Sequence, residues 1–450
     1  MNNGFDTLRL SVEAKSGGKN TVILDDVGMP SIMVRVPKFK ISEVMPGGPA
    51  EWHPMFIVNG ELRDVLYIGK YGACIENDRA YSLPYRDPAA WVDFDRARQV
   101  CRNKGPGWHC MTNAEFAGLA LWCKANGYMP TGNNYCGCDI DHRHEKGVQS
   151  YDWVLNYNWG DGMANKIEGS AYHHTGRVYT GSGPVSWAHD GTTDGIYDLN
   201  GNMWEWTPGM QLVDGEIQII PDNNSAGNVD ESPTSTLWRA IMPDGALVAP
   251  GTAGTLKYDA TNANGSGAFI LNTTVEHPGT DAVSTHTSFS ALTAKAGVEV
   301  PDILKYLGLF PYDTTENGHG KDGFWGRNNG EQLPFRGGCW HDGAASGVFA
   351  CYLNDPRANS WNNVGFRAAL PWARLPVPTG AGTVQGIKGP VSSPDGGKMN
   401  GYDAASRVMP NAAQHIKGDR LQSCLFAVGP GSMRPRRACS PATLIGRARI

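Results

Sequence analysis

Hydrophobic and polar positions along the chain change period twice. Up to about residue 70, short runs rich in β-branched and aromatic residues stand between Gly, Pro and Asn: TVILDD, SIMVRVPKF, MFIVNGEL and DVLYIGKY. Runs of this kind, bounded by turn formers, read as strands, so 1–70 is taken as an N-terminal β segment. Two helical patterns follow. DFDRARQVCRNKG opens on Asp and has Gly105 just beyond its end. TNAEFAGLALWCKANG opens on Thr112 with Glu115 three residues later, a capping box, and closes at Gly127. Phe116, Leu119, Ala120 and Cys123 share one face of that second helix, a stripe read as core packing.

From 129 to 195 the chain is rich in Gly, Asn and Trp, with aromatics scattered among turns. GIYDLNGNMWEW at 195–206 carries a tight-turn signal at Asn200-Gly201, with Ile196, Leu199, Met203, Trp204 and Trp206 supplying apolar mass around it. Residues 213–330 are less regular. PDNNSAGNVDESPTST and KYDATNANGSGAF read as loops with short strands, VPDILKYLGLF as a short helix, and the whole as an insertion on the main domain, 71–370. In 335–370, FRGGCWHDGAASGVFACYLNDPRANSWNNVGFRAAL, short apolar runs (Val348-Phe349-Ala350, Phe366-Arg367-Ala368) alternate with polar stretches. Residues 371–450 are Pro-, Gly- and Ser-rich and end in SMRPRRACSP and its surroundings, a composition that buries little apolar surface and predicts a disordered tail.

Composition sharpens this picture at four points. With 57 Gly and 14 Trp in 450 residues, 40% hydrophobic and 18% charged, the chain suits a loop-rich globular fold with short strands. No apolar run is long enough to span a membrane, and the N-terminus has no basic segment followed by an apolar core, so no signal peptide is evident. Any export takes another route, such as incorporation into a virion. The net charge of −5 is uneven: 371–450 holds 11 Lys/Arg against 3 Asp/Glu, leaving 28 against 41 in the first 370 residues. An acidic body excludes a nucleic-acid face there, and no aromatic residues interleave the tail's arginines. Ten cysteines are too sparse for a disulfide scaffold. The one tight pair, Cys136 and Cys138 beside Asp139, Asp141, His142 and His144, lacks the spacer and second half of a zinc knuckle, and is read as a polar surface loop rather than a metal site.

Two motifs then point the same way. GIYDLNGNMWEW resembles the GNVWEW signature of the formylglycine-generating-enzyme (sulfatase-modifying factor) family, and RGG at 336–338 with GFR at 365–367 resembles that family's closing motif. RGG-x-W-x-x-G-A-x-x-GVFA-x-x-L-N-x-x-R-x-N-S-x-x-N-x-GFR further resembles the variable region of diversity-generating retroelement target proteins. Its anchors here are Arg336, Gly337, Gly338, Trp340, Gly343, Gly347, Val348, Phe349, Ala350, Arg357, Gly365, Phe366 and Arg367. YIGKYGACIENDRAYSLPYRDPAA, GPGWHCMTNAEFAGLALWCKANG and TGSGPVSWAHDG also look like that group, so the likeness spans roughly 30–370.

The resemblance implies an α+β chain with a C-type-lectin-type fold of the formylglycine-generating-enzyme subgroup, carrying two main helices and a variable region at about 336–367. Mutagenic reverse transcription would alter adenine positions there, so that Asn codons become many residue types. On that reading the ligand-binding surface comprises His341, Asp342, Ser346, Cys351, Tyr352, Asn354, Asp355, Asn359, Trp361 and Asn362. Tyr352 and Trp361 are its aromatic anchors, and the polar residues supply adaptable hydrogen bonds. Val348, Phe349, Leu353 and Phe366 form the fixed core beneath. Arg336 and Arg367 hold loops through forked hydrogen bonds, while Trp204, Glu205 and Trp206 lie inside, Glu205 satisfying buried backbone donors. Trp361 and Pro356 depart from the pattern, because adenine-directed change in an Asn codon does not readily yield Trp. The long basic tail departs too, since such proteins end soon after the variable region.

The expected function is receptor or ligand display, on a phage tail or a bacterial cell surface, against a protein or carbohydrate of a target cell. No metal, cofactor or catalytic residue is assigned, and trimerisation or attachment to a fibre is compatible with the sequence. MPSIMVRVPKF resembles stretches of phage structural proteins, which favours the virion. The enzymatic alternative is a copper-dependent oxidase of the formylglycine-generating type. Its reactive cysteine pair would fall at about Asp342 and Gly347, and the nearby Cys339 and Cys351 lie twelve residues apart. A structural virion protein is the third reading.

Overall fold

A computed structural model describes residues 3–151, 176–315 and 317–372, an α+β arrangement dominated by short strands and loops. The first sheet runs Asn20–Leu24, Pro30–Pro37, Val65–Gly69, Ala368–Leu370, His109–Cys110, each strand antiparallel to the next. Val65–Gly69 is thus flanked on one side by a strand from the first forty residues and on the other by the strand that closes the variable segment. Residue 70 is therefore no boundary. Reading 1–70 as a β segment also missed a helix, Asn3–Lys15. That helix leaves Leu8 and Leu10 exposed, so it has no clean apolar stripe to betray it. It is held instead by polar contacts with the first strand, Thr21 Oγ1 donating to Glu13 Oε1 at 2.7 Å and Asn20 N–H to Ser16 Oγ at 2.9 Å.

The second sheet has thirteen strands among the described residues. Its centre is the antiparallel pair Glu331–Gly337 and Gly347–Asp355. Strands from 213–330 extend it on both sides: Gly323–Gly326 lies parallel to Gly347–Asp355, and Glu216–Ile219 continues the sheet through Met210–Val213. The insertion therefore builds the sheet rather than sitting on it, and its short helix forms at Asp302–Tyr306. Trp204–Trp206 joins the other edge of Glu331–Gly337 and runs parallel to Val364–Gly365.

Both capped helices form where their sequences place them. Asp93 Oδ1 accepts from Arg96 N–H at 2.7 Å and opens Phe94–Arg102. Thr112 opens Asn113–Ala125 with its hydroxyl accepting from Glu115 N–H and Glu115 reaching back to Thr112 N–H at 2.9 Å. Here the cap is buried and does more than its sequence signature states. Glu115 also faces His109 Nε2 at 2.9 Å, and Thr112 Oγ1 donates to Asn223 Oδ1 at 2.7 Å, which fastens the helix start to a loop a hundred residues away. Burial alone would lower the His109 pKa, but the Glu115 carboxylate raises it overall. Thr112→Ala is expected to lower unfolding free energy by about 2 kcal/mol, the upper end of the range for helix caps, measured by urea denaturation. A loss below about 0.5 kcal/mol would mean the cap is idle.

The Asn200-Gly201 turn shows why Gly stands there. Gly201 has φ +73°, and a Cβ would come within 2.3 Å of the Asn133 carbonyl oxygen. Its N–H instead donates to Gly337 O at 2.9 Å, so the turn serves a meeting of three distant segments rather than a hairpin.

Period-two alternation along Gly347–Asp355 divides the core into two. Phe349, Cys351 and Leu353 enter the cluster that contains Phe116 and Leu119, the stripe of Asn113–Ala125. Ala350 and Tyr352 turn toward a second cluster built around Trp204, Trp206, Phe335 and Trp340. The candidate site opens on this second side. No helix among the described residues is long and apolar enough to cross a membrane.

Candidate functional site

Four fixed points hold the variable segment. Arg367, fully buried, donates to both oxygens of Glu205 at 3.1 and 2.6 Å and to the carbonyls of Gly69 and Tyr197 at 2.9 Å each. Glu205 therefore answers an arginine, not the backbone donors expected of it, and burial pushes its carboxyl upward against the pull of Arg367. Arg336, also fully buried, donates to Gly308 O at 3.0 Å and Asn113 Oδ1 at 3.3 Å and lies over the Phe116 ring. Arg357 forks onto Glu331 and reaches Asp95 on the helix Phe94–Arg102. Trp340 is fully buried, its carbonyl accepting from Cys136 N–H at 2.6 Å, so the loop after Gly338 is pinned to the 132–138 loop.

Between these points lies a cleft of about 320 Å³ lined by Trp204, Phe335, His341, Asp342, Tyr352, Asp355, Trp361, Asn362, Asn363 and Val364. Its floor is aromatic: Tyr352 stacks on Phe335 at 5.7 Å between centroids and meets Trp204 at 5.6 Å. Trp361 forms the wall and is 42% exposed, with its indole N–H donating to Asp355 Oδ2 at 3.3 Å. Asn359 donates to the other oxygen of Asp355, and burial raises that carboxyl's pKa. Asn362 is held by its carbonyl, which accepts from Arg177, while its buried Nδ2 has no hydrogen-bond partner among the described residues. Aromatic faces, two carboxylates and an unanswered amide donor suit the recognition of a polar ligand with an apolar body.

Of the ten residues assigned to the displayed surface, His341, Asp342, Tyr352, Asp355, Trp361 and Asn362 line this cleft. Asn359 stands behind it, bracing Asp355. Three do not reach it. Cys351 is fully buried on the opposite side of its strand, because it precedes Tyr352 and alternation sends it into the helix-side core. Asn354 is 3% exposed, and its carbonyl accepts from Arg327 Nη1 at 3.2 Å. Ser346 is buried with its hydroxyl donating to Cys339 O at 3.2 Å, and it lines a separate cleft of about 310 Å³ whose wall mixes polar residues such as Thr131, Asp139 and Lys321 with Ile140 and Ala344. The first cleft is the better candidate, since it alone of the two offers aromatic rings.

The sequence reading passes over Phe335, Asn363 and Val364, and it sets aside a ligand-stacking role for Trp204 in favour of an internal one; Trp204 is buried and also lines the cleft. It weighs Cys339 only as a reactive thiol paired with Cys351, not beside His341 and Asp342. Cys339, His341 and Asp342 bring one sulfur, one nitrogen and one oxygen within 4.8 Å of each other, and among the described residues they are the only such trio. Burial pushes the Cys339 thiol up to about 11, so at neutral pH it carries its proton and is no activated nucleophile. Burial opposes protonation of His341, yet its neighbours hold its pKa well above the ordinary value; with the thiol neutral, the Asp342 carboxylate 3.4 Å away is the effective charge. A Cys-x-His-Asp string was the available signal.

Cys136 and Cys138 are buried, which corrects the surface reading for them, while Asp141, His142, Arg143 and His144 are exposed as that reading expects. Asp139 is spent on the loop itself, accepting from the N–H groups of Asp141 and His142 at 2.9 Å and from Asn134 Nδ2 at 3.0 Å. The basic tail from 373 onward lies outside the described residues. No model of a known protein family matches the chain. No curated protein matches it significantly.

Proposed function

We propose that this chain is a ligand-binding display protein on a C-type-lectin-type fold of the formylglycine-generating-enzyme subgroup, its binding face diversified by a retroelement and carried on a phage tail or bacterial surface. One observation carries the reading: six residues chosen from a sequence pattern line a single aromatic-floored cleft. The framework around that cleft supports it further. The arginine of GFR and the glutamate of WEW, the two motifs that suggested the fold, form one buried pair. Trp361, the most exposed of the six, stands clear of this buried framework, while Asp355 and Asn362 are buried beside the cleft. Its target is a protein or carbohydrate receptor, bound by Trp361 and Tyr352 with hydrogen bonds from Asp342, Asp355 and Asn362.

The test has two parts. The DNA beside the gene should hold a near-identical template repeat and a reverse transcriptase gene, and copies from related strains should differ at 341, 342, 352, 355 and 362 while Arg336, Cys351 and Arg367 stay constant. Trp361→Ala should change unfolding free energy by no more than about 1 kcal/mol, because the residue is 42% exposed and its side chain makes one long hydrogen bond, to Asp355. Changes spread evenly along the chain, with no template repeat, would favour a structural virion protein. A Trp361→Ala loss of several kcal/mol would make that residue part of the scaffold instead.

A further inference from the structure

We propose that Cys339, His341 and Asp342 form a binding site for a zinc-like transition-metal ion at the inner end of the cleft. The case rests on distances. Four-coordinate zinc holds a Cys sulfur at about 2.3 Å and a His nitrogen at about 2.0 Å. Tetrahedral angles then separate sulfur from nitrogen by about 3.6 Å and nitrogen from a carboxylate oxygen by about 3.3 Å. Here Cys339 Sγ lies 3.5 Å from His341 Nδ1, and the same nitrogen lies 3.4 Å from Asp342 Oδ1. All three donor atoms lie within 4.8 Å of one another. Cys339 Sγ is also 3.7 Å from His341 Nε2, so it stands off the Nδ1 lone-pair axis and the imidazole must turn about its Cβ–Cγ bond to aim a nitrogen at the ion.

The surroundings hold them there. Asp342 Oδ2 accepts the backbone N–H of Cys339 at 2.8 Å, which leaves Oδ1 on the histidine side. Asn363 Nδ2 donates to Cys339 Sγ at 3.3 Å, a contact that stabilises a thiolate. The loop carrying all three is pinned by buried Trp340 and by Gly343 N–H donating to Asn134 O at 2.9 Å. Partners of this kind orient ligands and contribute to affinity. Sulfur with imidazole selects zinc, cobalt or copper over magnesium and calcium, whose preference is for oxygen. Cys339 is buried, whereas His341 and Asp342 line the cleft, so the fourth position opens toward the cleft and takes water or a donor atom of a bound ligand. Binding releases the thiol proton and the proton on His341 Nδ1 to solvent, so affinity rises with pH. The site belongs to this sequence: copies that differ at 341 or 342, as the display reading expects, would lack it, and metal binding by this chain can be present or absent whichever way the strain comparison falls.

Full-length protein stripped with chelator and titrated with Zn²⁺ against a chromophoric zinc indicator should bind one equivalent, and Co²⁺ should give a near-ultraviolet thiolate-to-cobalt charge-transfer band. Cys339→Ser and His341→Ala should each weaken binding by at least about 100-fold and abolish the band, and Asn363→Ala should weaken it by about 10-fold. Cys138→Ser, in the rival cysteine loop, should change nothing. Absence of a stoichiometric site in the unaltered protein overturns the proposal, and that titration needs no variant to fold. So does binding that survives both Cys339→Ser and His341→Ala, or that is lost in Cys138→Ser, with thermal melts reporting that each variant is folded.

Discussion

Replacing Arg367 with Met is expected to lower unfolding free energy by about 3–5 kcal/mol. The side chain is fully buried and answers four acceptors: both Glu205 oxygens and the carbonyls of Gly69 and Tyr197. Methionine fills much of the volume but donates nothing, so Glu205 becomes an unpaired charge in the core and two carbonyls lose their partners. Arg367→Lys should recover only part of the loss, because a point charge cannot span the planar fork. The double variant Arg367→Met/Glu205→Leu should be more stable than Arg367→Met alone, since it removes the stranded carboxylate. Urea denaturation read by tryptophan fluorescence measures all three. For a domain whose whole stability is about 5–15 kcal/mol, such a loss decides whether it stays folded at physiological temperature. A cost below about 1 kcal/mol for Arg367→Met would show that water reaches the pair and that this part of the framework is not rigid.

The forked role of Arg367, both caps and the buried apolar strand were legible because each is a local pattern with a fixed physical meaning. Arg336, by contrast, bonds through Nη1 alone among the described residues, and five of the ten residues expected on the displayed face are buried. Thr112 and Glu115 announce a helix start three residues apart, and Val348-Phe349-Ala350 announces a buried strand. What stayed hidden depended on direction or on distance. Cys351 and Tyr352 are neighbours in sequence, and only the register with Glu331–Gly337 and Gly323–Gly326 decides which of them faces the cleft. A slip of one residue would have exchanged them. Asn3–Lys15 was missed because exposed leucines blur its period. Glu205 was correctly placed inside but given the wrong partner, since nothing local joins it to a residue 162 positions away. The Cys339 trio illustrates a different failure: its residues lie within four positions, but only the folded loop brings their donor atoms within 4.8 Å of one another.

Asp322→Asn is expected to stabilise the protein increasingly as pH rises from about 5 to about 7.5, by roughly 1 kcal/mol per pH unit relative to the unaltered chain. Asp322 is buried just before the strand Gly323–Gly326, with Oδ2 accepting Phe349 N–H of the neighbouring strand at 2.7 Å. Its carboxylate lies so close to Gly347 that a Cβ there would come within 2.0 Å of it, which explains that glycine. Burial pushes its pKa up to about 8, only partly offset by Phe349 N–H and the charge of Arg336. The sign follows. An acid whose folded pKa exceeds its unfolded value, near 3.8, binds more protons when folded throughout that interval, so the unaltered protein loses stability with rising pH until the group ionises in both states. Buried His53, His189 and His319, each lowered to about 4 mainly by burial, act oppositely below pH 6.5, and Lys104, lowered to about 7, acts oppositely above it. Those contributions are common to both proteins and cancel in the difference, which leaves the slope to Asp322. Asparagine adds an amide that must find an acceptor, but that penalty is constant with pH and shifts the curve without tilting it. Parallel stability curves for the two proteins between pH 5 and 8 would mean that solvent reaches the carboxylate and that the strand beneath the cleft is not sealed from water.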